Sequence, residues 1–160
     1  MMQRISTLIA VAVLGILPGA AQAEETVLRD GFRDCIAGVA DSRGIPGCIA
    51  AAQGKCTAIA PGTPELASCF TAARAEWGAA MVDILQSFGD RPQNFQDIAR
   101  IEAKYSLLQH LLTCDRQAEL SAIGRTATAK DEEAKLVCQA TASAAAYTEV
   151  LIRSGTITLQ

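Results

Sequence analysis

Six cysteines and one histidine hold most of the reactive potential of this 160-residue chain. The cysteines are Cys35, Cys48, Cys56, Cys69, Cys114 and Cys138. A thiolate can attack a substrate, bind a metal or join a disulfide. No two of the six stand as Cys-x-x-Cys, the spacing of a thioredoxin-like redox pair or a close-set zinc site. No Cys-x-x-Cys-His is present for attachment of haem. An even cysteine count suits disulfides, and six can pair in fifteen ways.

The histidine, His110, sits within a helical pattern beside Leu111 and Leu112. Nucleophilic catalysis would need a nucleophile within its reach and an acid to orient it. Neither is assignable from the spacing, so His110 reads as a helix-surface or boundary residue. Asp131-Glu132-Glu133 falls at a helix start, where acids oppose the positive end of the dipole. Asp30 and Asp34, four apart, suit a solvated helix face. There is no glycine-rich phosphate loop. The expectation is an all-structural set of cysteines, with no catalytic, metal or cofactor-binding residues and no enzyme activity.

The redox setting of the thiols comes from the N-terminus. Arg4 precedes an apolar run from Leu8 to Leu17, then Pro18 and the small-residue end Ala21-Gln22-Ala23. That order is the pattern of a cleaved secretory signal peptide over residues 1–23. The apolar run is about half the roughly 20 residues needed to cross a bilayer. No cysteine stands at the cut to take a lipid. The remainder, 24–160, is the length of one domain in a periplasmic or secreted location, where disulfides persist.

Removing a leader whose one charge is Arg4 leaves 13 Lys and Arg against 17 Asp and Glu, a net charge of −4. A nucleic-acid partner would want a basic face. Alanine is abundant, aromatics make up 4% of residues, and β-branched runs are few. These choices favour helix.

The elements that place the cysteines follow from periodicity. Leu28, Phe32, Cys35, Ile36 and Val39 share one face of a first helix. Asp41 to Gly44 reads as a turn, and a short helix from Pro46 to about Gln53 carries Cys48, with Cys56 just past its end. Thr63 caps a long helix from Pro64 to about Phe88, stopped by Gly89. Its core face is Leu66, Phe70, Ala73, Trp77, Met81, Ile84 and Phe88. A fourth helix, 94–123, carries Phe95, Ile98, Ile101, Tyr105, Leu108 and Leu112 as one stripe, with Leu107, Leu111 and Cys114 beside it. Asp131 or a nearby threonine opens the last helix, which runs to about Arg153 on Val137, Ala140, Ala144, Tyr147 and Leu151. The tail beyond Gly155 is expected to be loose.

Short connections predict a small antiparallel all-α bundle of about five helices. Such a bundle favours the sequential pairs Cys35–Cys48, Cys56–Cys69 and Cys114–Cys138. Each bridge would contribute roughly 3 kcal/mol.

From Asp34 to about Arg153 the chain resembles secreted bacterial proteins with the lysozyme-inhibitor LprI-like N-terminal domain. The resemblance rests on Cys48-Ile49-Ala50 followed by Cys56, and on Cys56-x12-Cys69 with Thr63 between. It rests also on Cys69-x7-Trp77, and on Cys114 with Cys138-Gln139-Ala140-Thr141-Ala142. Where such proteins usually show an acid, an asparagine and a tyrosine after the tryptophan, this chain has Gly78, Val82 and Leu85. Eight and four residues before Cys114, in place of tryptophan and arginine, stand Ser106 and His110. The resemblance implies a helical, disulfide-bonded envelope protein and inhibition of a lysozyme-like muramidase, and it carries over no inhibitory residue.

The function expected is a non-catalytic binding module whose partner is another envelope or extracellular protein, a cationic lysozyme being one such partner. The alternative is a structural or assembly protein of the envelope. An exposed apolar patch of several hundred square ångströms would favour the alternative.

Overall fold

The computed structural model describes residues 31–159, which form six helices and no strand. The proposed leader and the start of the first helix, Leu28 and Asp30 included, lie outside the described residues. Helix α1 covers residues 31–37. A 3-10 turn, Ser42–Gly44, leads into α2 (Ile45–Ala52) and α3 (Gly54–Thr57). Three long helices follow: α4 (Pro64–Gln86), α5 (Gln93–Ser121) and α6 (Ala129–Arg153).

Local chemistry sets the helix starts. The Thr63 hydroxyl accepts from the Leu66 N–H at 3.2 Å, and Pro64 takes the first position of α4. At α6, Thr128 and Asp131 close a reciprocal capping box. Arg125 adds an ion pair to Asp131 at 2.6 Å. The Arg125 guanidinium, with the hydroxyl and N–H of Thr128, holds the Asp131 carboxyl far below the usual range. Gly124 follows α5 at φ +74°, a backbone shape glycine takes freely. Gly89, by contrast, has no positive φ; α4 stops at Gln86 and Gly89 lies in the turn beyond it.

Helix α6 is the axle of the bundle, with α4 and α5 packed along it. In its second half Ala140, Ala142, Ser143, Ala144, Ala146, Tyr147, Thr148, Val150 and Leu151 are all buried. The two hydroxyls survive burial because each bonds a carbonyl one turn back: Thr148 to Ala144 at 2.8 Å and Ser143 to Gln139 at 3.0 Å. The main core joins Phe32 and Ile36 of α1, Ile49 of α2, Trp77 to Ile84 of α4 and the Tyr147 region of α6. Trp77 is core, with Phe32 at 4.7 Å and Tyr147 at 5.7 Å between ring centroids. A smaller core gathers Cys56, Leu66, Phe70 and Ala140.

The spacing of α5 offers two stripes and does not say which faces in. Phe95 is half-buried, but Ile98, Ile101, Tyr105, Leu108 and Leu112 all face outward. The inner side is made of Ala99, Ala103, Ser106, Leu107 and Cys114, of which Leu107 and Cys114 belong to the second stripe. Most of these side chains are small, which lets α5 approach the alanine-rich α6 closely. One expectation is corrected, that of a loose tail. Ile157 and Leu159 are half-buried against the main core, and the Ile157 N–H bonds the Leu151 carbonyl at 3.1 Å.

Candidate functional site

Each cysteine pair is placed by a local feature. The turn at 38–44 brings Cys35 to Cys48. Helix α3, beyond the Gln53 at which the spacing ends the short helix, turns Cys56 inward toward Cys69. Antiparallel α5 and α6 bring Cys114 to Cys138. The structure joins Cys35–Cys48, Cys56–Cys69 and Cys114–Cys138, with Cα separations of 5.8, 5.5 and 5.7 Å, and leaves no cysteine free. All three separations are normal for a disulfide. No cysteine thiol is therefore available as nucleophile or metal ligand.

Among the described residues, a concentration of polar side chains lies between α5 and α6. Its centre is Glu149, a residue the sequence did not single out. The Ser106 hydroxyl donates to Glu149 Oε2 at 2.7 Å, and His110 Nε2 lies 3.0 Å from Oε1. Arg153, one turn further along α6, reaches Glu149 at 3.6 Å and also pairs with Glu102 of α5. Burial pushes the Glu149 carboxyl up, but the hydrogen bonds from Ser106 and His110 and the charges of His110 and Arg153 outweigh it. The net effect holds Glu149 below its ordinary value.

Serine, histidine and a carboxylate within one cluster invite comparison with a triad. The order of contacts is wrong for one. A serine nucleophile must pass its proton to the histidine, with the acid behind the histidine. Here the carboxylate lies between, accepting from both, and Ser106 is buried. The adjoining cleft, lined by Phe95, Ala99, Glu102, Ser106, Glu149 and Val150, has a volume of about 70 Å³. That is well under the few hundred Å³ of an ordinary small-molecule site. The arrangement ties two helices together.

A shallower groove of about 350 Å³ runs between α2 and α6, lined mainly by Ile45, Ile49, Ala145 and Ile152. At its floor Gln53 accepts from Thr141 at 3.2 Å, while its buried amide nitrogen has no partner among the described residues. Among the described residues no group of histidine, cysteine or carboxylates is placed to hold a metal, and no helix is long and apolar enough to cross a membrane.

The largest unexplained feature is the outer face of α5. Ile98, Ile101, Tyr105, Leu108 and Leu112 are between 43% and 65% exposed, and they form one continuous row. Lone exposed apolar residues are ordinary, but a contiguous row of five is a candidate binding surface. The periodicity of the sequence located these residues as one stripe of the helix and did not say which way it faces.

No protein-family model matches this chain, and neither a curated protein nor a solved structure matches it.

Proposed function

We propose that this chain is an exported, non-catalytic binding protein of the bacterial envelope, periplasmic or secreted, that engages a protein partner through the outer face of α5. The exposed apolar row from Ile98 to Leu112 carries the reading, and it favours the structural or assembly form of such a protein over an inhibitor. The signal-peptide pattern of residues 1–23 and three disulfides support an oxidising compartment. The absence of a nucleophile–base order around His110 supports a binding role over a catalytic one. The test is a pull-down from envelope extract with oxidised mature protein and with Leu108→Glu, a change on a surface residue. Partners retained by the wild type and lost by the variant are expected. Equal recovery with both would remove α5 from the account.

A narrower reading makes the partner a lysozyme-like muramidase. The net charge of −4 after leader removal would steer association with a cationic enzyme, and the LprI-like resemblance points the same way. A muramidase assay with purified mature protein checks it. Undiminished lysis at high molar excess would eliminate the inhibitor version and leave the binding-module reading in place.

A further inference from the structure

The spacing of the exposed row is more specific than its hydrophobicity. Ile98, Ile101, Tyr105, Leu108 and Leu112 are separated by three, four, three and four residues. That is the 3.5-residue repeat of a coiled-coil seam, in which alternate knobs enter holes on a facing helix. A face made only to cover a globular core follows the broader 3.6-residue pattern. On α5 the two jobs fall on opposite sides. Ala103, Ser106 and Cys114 turn inward against α6, and the strict repeat turns out.

We infer that the occupant of this seam is a second copy of the same chain, α5 against α5, forming a two-fold symmetric dimer. This rests on the reading of α5 as the binding face. Area is the first argument. Five large side chains at the observed exposure present roughly 500 Å² per copy, so two copies could bury at most about 1,000 Å² through this row. That is the area an interface must clear, and the flanks of α5 have to supply the rest of the roughly 1,200 Å² at which specific interfaces begin. Self-complementarity is the second. A seam of isoleucine, leucine and tyrosine knobs is bordered by the shallow hollow between Tyr105, Leu108, Gln109, Leu112 and Arg116, so one face supplies both shapes, as an isologous contact requires.

The experiment is sedimentation equilibrium on the oxidised mature chain, with Leu108→Glu and Ile101→Glu as single variants. The wild type is expected at twice the mass of one chain in the micromolar range. Each variant is expected to weaken self-association by roughly a hundredfold, with helical circular dichroism and thermal midpoint of the monomer unchanged, since both residues are exposed. A wild type that stays monomeric at several hundred micromolar, or a dimer that both variants leave intact, overturns the inference. The pull-down then separates the two claims. A monomer whose envelope partner is lost in Leu108→Glu refutes self-association and keeps α5 as the binding face; a monomer whose partner is indifferent to the variant refutes both.

Discussion

The hydroxyl of Tyr147, on the central helix, accepts a hydrogen bond from Arg33 Nε of α1 at 2.8 Å. The two residues stand 114 positions apart. This bond lets a tyrosine with no exposed surface keep its polar atom satisfied, while its ring lies against Trp77 and Phe32. It also fastens the first helix to the last. Tyr147→Phe keeps the ring and removes the acceptor, and should cost about 1 kcal/mol. Trp77→Ala empties the centre of the same cluster and should cost about 3–5 kcal/mol. Urea unfolding of the oxidised protein measures both. A Tyr147→Phe loss as large as that of Trp77→Ala would show that the bond, and not the ring packing, dominates.

The Cys114–Cys138 bridge encloses a longer segment than the other two, 24 residues of separation against 13. A longer closed loop restricts the unfolded chain more. Removing it with paired Cys→Ser changes should cost about 3 kcal/mol, slightly more than removing Cys35–Cys48. Denaturation midpoints of the two double variants give the comparison. Equal or reversed losses would mean that native contacts outweigh chain entropy here.

Glu149 makes stability depend on pH. Its carboxyl titrates lower in the folded protein than in the unfolded chain, so its contribution is fully present above the unfolded value. The contribution is lost as pH falls through the folded one. At neutral pH Glu149→Gln should be less stable than wild type by about 1 kcal/mol, because the Ser106, His110 and Arg153 contacts lose a charged acceptor at a half-exposed site. The gap should close in the acid window below about pH 4.3, the ordinary value of a glutamate in an unfolded chain. A gap that stays constant across that window would show that the carboxylate charge is not what stabilises the cluster.

Thr63 accepts the Leu66 N–H at the start of α4, and Leu66 is buried in the smaller core. Thr63→Ala should cost about 1 kcal/mol, with Thr63→Ser restoring most of it. Chemical denaturation of the three chains decides. An alanine variant as stable as wild type would mean that Pro64 and the Cys56–Cys69 bridge fix this turn unaided.

Much of the fold was legible in the sequence because the relevant signals are local. Thr63-Pro64, Gly124 and the Thr128–Asp131 box mark helix ends through their own backbone chemistry. Leu66, Phe70, Trp77, Met81 and Ile84 mark one face of α4 through spacing alone. Helix α3 was missed because four residues are too few for a period. The Glu149 cluster was missed because its members meet only once α5 and α6 are set in register. Counting outward in equal steps from the Cys114–Cys138 bridge sets Ser106 against Ala146 and Glu102 against Val150, about one helical turn short of Glu149 and Arg153.

The amino-acid sequence alone determined that this chain is helical, where its long helices start and stop to within a few residues, and that its six cysteines suit disulfides. It could not determine which side of α5 faces in. Periodicity reports that a helix has an apolar side, and α5 has two: a row of large side chains and a row of small ones. Tertiary structure decided between them. The alanine-rich α6 takes Ala103 and Ser106 against it, with Leu107 half-buried beside them, and the large side chains from Ile98 to Leu112 stay exposed.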